Sequence, residues 1–174
     1  MRILLLASLL SIASGCANLP DVHTLTCDQI RQMTAVSHDD FRKSTTVSAS
    51  RLKFGQVQES DFGLSASKID AQPNIIYSLI LTTSRSPDQG WAFWKQAFDE
   101  HGHELTNPST SSEVGQHASV YESIAFALTR EWLVSNSRTG IKVRVDGSRD
   151  QIILELPPNY IQGFLLKADD VLGR

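Results

Sequence analysis

Along the chain, apolar residues recur with period two in some stretches and with helical spacing in others. Lys43 to Ser50 is rich in Thr, Ser and Val and alternates as a half-exposed strand does. Val47 and Ala49 share one face, whereas Leu52 and Phe54 fall on the opposite parity. A bulge or break is therefore expected near Ser50-Arg51. Asp61 to Ile69 alternates again, with Phe62, Leu64 and Ala66 on one side. Ile75 to Leu81 is almost continuously apolar, which predicts a central strand covered on both faces. Val120 to Leu128 reads as a further strand. Ile141, Val143 and Val145 then alternate with Lys142 and Arg144, and Ile152, Leu154 and Leu156 alternate with Ile153 and Glu155. The link Asp146-Gly147-Ser148-Arg149-Asp150 makes these two runs a hairpin.

Helical spacing marks four other places. Thr26 with Gln29 three residues on forms a capping box, and a short helix follows through Ile30 and Met33 to about Val36. Ser86-Pro87-Asp88-Gln89 has a capping serine, a proline at the first helical position and a glutamine at the reciprocal site. Trp91, Trp94 and Phe98 then fall at i, i+3 and i+7, and Gly102 is a C-terminal stop, so a helix is predicted from Pro87 to His101. A short helix near Arg130 to Arg138 closes at Gly140. After Pro157-Pro158, Asn159 caps a last helix with Gln162 at the box position, burying Ile161, Phe164, Leu165 and Ala168. Gly163 weakens that helix by about 1 kcal/mol. Thr106 to Gln116, with Asn107-Pro108 and a Ser/Thr run, reads as a loop. The sum is an α+β fold: one domain over 26–174, a mainly antiparallel sheet and three to four helices.

The first residues do not belong to that pattern. Arg2 precedes the run Ile3 to Ile12, which is about half the roughly 20 apolar residues that a spanning helix requires. The run ends in Ala13-Ser14-Gly15-Cys16. A short basic region, an apolar run and small residues before a cysteine resemble a bacterial lipoprotein signal peptide with its lipobox. Ala13 stands where leucine is commonest in that family, and the basic region holds a single Arg. The resemblance implies a signal peptide at 1–15, lipid on Cys16 and a lipidated tether at 16–25. Ala17, not aspartate, follows the cysteine, which implies the outer membrane and a domain facing the periplasm. One acyl chain anchors only marginally, whereas several make release slow.

Charge and cysteine content narrow the partners. The whole chain carries a formal charge of −3, and loss of Arg2 with the leader makes it more acidic. There is no basic excess for nucleic acid and no polybasic tract for anionic lipid, so attachment rests on the anchor. With Cys16 lipidated, Cys27 is an odd thiol at a helix start. A small buried hydrophobe is its plainer role.

The C-terminal half adds a second likeness. Tyr121-Glu122-Ser123-Ile124-Ala125-Phe126, Trp132-Leu133, Thr139-Gly140, Val145-Asp146-Gly147 and Tyr160-Ile161-Gln162-Gly163-Phe164-Leu165 resemble a pattern in proteobacterial lipoproteins of no established activity. It supports the address and implies nothing about mechanism.

Candidate chemistry is sparse. His101-Gly102-His103-Glu104, with His117 as a third imidazole, is the most ligand-like cluster. Glycine between the histidines leaves their directions open, so solvated residues at an element end are the plainer reading and no metal or cofactor is assigned. Trp91 and Trp94 offer an aromatic platform or, more simply, core. Lys142, Arg144 and Arg149 form a basic cluster that offers a contact for an anionic partner such as a lipid headgroup or peptidoglycan carboxylate or, more simply, a solvated face neutralised by Glu155. Glu122, Glu131, His38 and Asp39 are titratable but make no recognisable set, and nucleophile elbow, phosphate loop and dinucleotide fingerprint are absent from the sequence. The expectation is a non-enzymatic envelope lipoprotein that binds an envelope protein or cell-wall partner. The alternatives are a periplasmic enzyme with dispersed catalytic residues and a carrier of an apolar ligand.

Overall fold

The structure, a computed structural model, describes residues 20–49, 60–106, 108–115 and 119–173. After a 3₁₀ turn at Val22–Thr24 come α1 (Cys27–Met33), β1 (Ala35–Asp39), β2 (Ser44–Ala49), β3 (Ser60–Ile69), β4 (Ile75–Arg85), β5 (Trp94–Asp99) and β6 (Glu104–Leu105). Then follow β7 (Ser109–Val114), β8 (Val120–Leu128), α2 (Arg130–Asn136), β9 (Ile141–Gly147), β10 (Gln151–Leu156) and α3 (Pro158–Leu172). One sheet has the order β1-β2-β3-β4-β8-β7 and the other β10-β9-β5-β6, and every pairing is antiparallel. The fold is α+β and mainly antiparallel sheet, as the alternating runs predict.

Period-two alternation decides which face each strand buries. Val47 and Ala49, then Phe62, Leu64 and Ala66, then Tyr77, Leu79 and Leu81, then Ile124 and Phe126 form one buried face of the larger sheet. Leu154 and Leu156, Val143 and Val145, and Ala97 do the same for the smaller one. The helices complete the core. Tyr160 of α3 is fully buried, accepts a hydrogen bond from the Leu64 N–H at 3.0 Å and donates to the Ala49 carbonyl, which pins the helix across β2 and β3. Burial raises the Tyr160 hydroxyl pKa well above its usual range, so it stays a neutral donor.

Gly163, expected to weaken α3, has a packing reason. A Cβ there would lie 2.6 Å from the Cys27 carbonyl oxygen and 2.8 Å from Ile30 Cβ. The missing side chain lets α1 lie directly on α3. The α1 capping box is present, with Gln29 N–H donating to Thr26 Oγ1 and Thr26 N–H to Gln29 Oε1.

Five expectations fail. Pro87–His101 is not a helix: a turn at 87–89 leads through an irregular segment, with Gly90 and Phe93 at positive φ, into β5. Thr106–Gln116 is not a loop throughout, because Ser109–Val114 is an edge strand. The first helix stops at Met33, and Val36 lies in β1. β4 is central but buries one face, its other positions being half-buried or exposed. Asn159 is not the cap of α3. Pro157 holds that position without a side-chain bond, and Asn159 instead donates to the carbonyls of Val22 (2.8 Å) and Leu25 (2.7 Å).

That last contact shortens the expected tether. Val22 is fully buried and Asp21 caps the 3₁₀ turn, so the stretch from Asp21 belongs to the folded body. The expected leader, Cys16, Ser50-Arg51, Leu52 and Phe54 lie outside the described residues.

Candidate functional site

β5 ends in Asp99, whose side chain is 1% exposed. Gly102, at φ +84°, turns the chain back, and Asp99 N–H donates to the His103 carbonyl at 2.9 Å. Inside this turn the Asp99 carboxylate accepts from the N–H groups of His101 (3.0 Å) and His103 (2.9 Å), from His103 Nδ1 (3.2 Å) and from Trp132 Nε1 of α2 (3.2 Å). Burial alone would raise its pKa. The donors from His103, Trp132 and His101 outweigh burial and hold it below the ordinary carboxylate range. Asp99 thus ties the turn to a helix and keeps its charge.

The two histidines of the sequence cluster stand on that turn, ring centroids 6.3 Å apart and both exposed. Glu104 opens β6 and points to solvent. His117 lies outside the described residues, and among the described residues no three His, Cys, Asp or Glu side chains converge as a metal site would require.

A second buried carboxylate sits on β8. Glu122 accepts from the N–H groups of Ala92 (2.5 Å) and Phe93 (2.8 Å), clamping the segment before β5. Phe93 is held at φ +55°, a left-handed conformation that is unusual for a residue with a bulky side chain. Its carbonyl accepts from Ser148 N–H, and the Arg149 guanidinium lies over its ring at 5.6 Å. Trp94 is buried and donates from Nε1 to Thr83 Oγ1 at 3.1 Å, so it is core, while Trp91 is half-buried in the loop.

The basic cluster divides. Lys142 and Arg144 project from the solvent face of the smaller sheet, Lys142 pairing with Glu155 at 3.6 Å and Arg144 with Asp146 at 3.2 Å. Arg149 is in the turn above Phe93. Cross-strand register sets Phe98 beside Arg144 and Arg144 beside Ile153. The guanidinium of Arg144 lies 5.5 Å from the Phe98 ring centre, and Ile153 is 60% exposed. With Glu100, Gly102 and Lys142 these three line a shallow concavity of about 420 Å³. This row of aromatic, cation and aliphatic side chains is absent from the candidates read in the sequence. Its signal was Ile153, an apolar residue on the solvent parity of its strand.

The remaining candidates are scattered. Glu131 lies exposed in the first turn of α2. Asp39 accepts from the N–H groups of Arg42 and Phe41 at the β1–β2 tip, and those bonds, that of Arg42 first, lower its pKa. His38 bonds Thr45 Oγ1 through Nδ1 at 3.1 Å. Cys27 is half-buried; burial and the neighbouring Asp28 raise its thiol pKa, against Arg31, so it is not an activated nucleophile.

Compared with family models, with curated proteins and with solved structures, the chain matches none.

Proposed function

We propose that the chain is a lipid-anchored lipoprotein of the bacterial envelope, held at the outer membrane through Cys16 and facing the periplasm. There it works as a non-enzymatic binding or assembly module. The observation that carries the binding role is the row of half-buried Phe98 and exposed Arg144 and Ile153 on the open face of the smaller sheet. An accessible aromatic edge and an arginine beside an exposed aliphatic residue are the composition of a protein contact centre.

The anchor reading rests on the leader and lipobox. From Cys16 to Asp21 the chain reaches at most about 17 Å even when fully extended. An anchored domain would stay close to the membrane and meet partners confined there. Against the enzyme alternative, the oxygens of Asp99 and Glu122 are already engaged by backbone N–H groups. Against carriage of an apolar ligand, the space between sheet and helices is filled by Tyr160, Phe126, Phe164 and Leu79.

In-cell crosslinking with mass spectrometry tests the proposal on the native chain, on Cys16→Ser and on Ile153→Asp. A discrete envelope protein or cell-wall fragment is expected with the native chain and is expected to be lost in both variants. Ile153→Asp should fold normally, since its position faces solvent. Equal capture by native and Ile153→Asp chains would overturn the assignment of the face. A native chain that captures nothing, with Cys16→Ser in the same membrane fraction, would remove both halves of the proposal.

A further inference from the structure

Sheet edges are usually guarded by charges, proline, bulges or short length, because their unpaired N–H and C=O groups recruit other strands. β10 has Glu155 and ends at Pro157-Pro158, β6 is two residues long, and β1 carries His38 and Asp39. β7 is the least guarded of the four. Its six residues, Ser109-Thr110-Ser111-Ser112-Glu113-Val114, are all exposed, contain no proline or lysine and hold one charge.

The pairing pattern shows which of its groups are open. The Gly115 N–H donates to the Ser119 carbonyl at 2.8 Å, and the register places Val114 opposite Val120 and so on to Ser109 opposite Ala125. Hydrogen-bonded and non-bonded pairs alternate along an antiparallel ladder. Ser109, Ser111 and Glu113 therefore bond to β8, and Thr110, Ser112 and Val114 direct their N–H and C=O groups away from the sheet. The Ala127 N–H, which reaches the Thr106 carbonyl at 3.1 Å, keeps the same parity on β8.

We propose that two copies of the chain pair edge to edge through β7, antiparallel about a twofold axis at Ser112. Only this dyad register lets all three open residues take part, Ser112 pairing with itself and Thr110 with Val114 of the second copy. Each such pair exchanges two bonds. The side chains suit the same register. Val114, 65% exposed in the single chain, gains a β-branched neighbour in Thr110 of the second copy. Glu113 falls opposite Ser111 of the second copy, a hydroxyl donor, and the two glutamates do not face each other. The larger sheets of both copies would become one twelve-stranded sheet.

Cysteine scanning of the full chain in its own membrane, with diamide as oxidant, tests this. Directly opposed Cα atoms of a bonded pair lie about 5.5 Å apart, within disulfide reach. Ser112→Cys should give a disulfide-linked homodimer, whereas Thr110→Cys, whose copies lie four residues apart along the ladder, should stay near background. Adding Val114→Pro to Ser112→Cys should abolish the dimer. Proline there removes an N–H that β8 does not use, so the fold should persist, with an unchanged urea midpoint. Equal linking at 110 and 112, or a dimer that survives Val114→Pro, would overturn the register. Linkage of the Ser112→Cys chain to a different protein, or no linkage, would overturn self-pairing.

Discussion

Asp99 and Glu122 are both buried carboxylates on strands, and both hold backbone N–H groups of a neighbouring connection, yet they are built differently. Glu122 reaches across from β8 to a segment 29 and 30 residues away and supplies both oxygens to two N–H groups. Asp99 closes the turn that follows it and recruits an indole from α2 and an imidazole from the turn itself. One clamp fastens a strained loop to the larger sheet, and the other makes a turn self-supporting. An acidic residue on an inward strand position can thus look like a catalytic acid when it is a loop clamp. Its donors, not its burial, decide between the two.

Breaking the Glu122 clamp should have the larger effect. Glu122→Ala leaves the Ala92 N–H buried without an acceptor and frees Phe93 from the contact that holds its left-handed backbone. A loss of about 3 kcal/mol is expected, read as a lower urea midpoint, since each unpaired buried group costs roughly 1–3 kcal/mol. Phe93→Gly in the same background should recover part of it, because glycine adopts that conformation without steric cost. A loss well under 1 kcal/mol would mean that water replaces the carboxylate and that the loop is held from the Ser148 side.

Asp99→Asn comes next, at about 2 kcal/mol at neutral pH, because an amide N–H₂ then faces N–H donors. Its pH dependence sharpens the contrast. The Asp99 pKa in the folded chain lies below its ordinary value of about 3.9. The native contribution is therefore complete above that value and disappears as pH falls through the folded pKa. Asparagine does not titrate, so the difference in urea midpoint between native chain and variant should close below about pH 4. A gap that persists undiminished into acid would show that the carboxylate charge is not what holds the turn.

Much of this fold is legible in local pattern. The β9–β10 hairpin, the inward parity of β3 and the α1 capping box each depend on residues close in sequence, and the structure has all three. The failures are tertiary. Ser86 and Gln89 do bond reciprocally, Ser86 N–H to Gln89 Oε1 and Gln89 N–H to the Ser86 carbonyl, but they close an isolated turn. Gly90, at φ +61°, then redirects the chain. A bulge between Trp94 and Gln96 shifts the parity of β5, so that Trp94 and Ala97 are both buried at a spacing of three. The expected stripe of Trp91, Trp94 and Phe98 is therefore not one face: Trp91 lies in the loop before β5, Trp94 is buried, and Phe98 pairs with Arg144 on the solvent side. β7 escaped notice because an exposed edge of hydroxyl residues has no apolar rhythm. Of the site, the histidine turn was legible as a cluster. The carboxylate beneath it was not, because Trp132 joins it from 33 residues away.

The smallest expected effect tests how much of the Asp99 clamp is side chain and how much is backbone. His103 makes two bonds to that carboxylate, one from its ring and one from its N–H. The ring is 75% exposed, so its interaction is screened by water and worth well under 1 kcal/mol. The N–H bond, at 2.9 Å to a nearly inaccessible oxygen, survives any substitution that keeps the backbone in place. His103→Ala should therefore leave the urea midpoint within about 0.5 kcal/mol of native at neutral pH, whereas Gly102→Ala should cost more. Gly102 has open space around it, so the cost there would be its φ of +84° and not a clash. If His103→Ala proved the more damaging of the two, the imidazole would be the organising group of the turn, and Asp99 would resemble the acid partner of a working histidine more than a clamp.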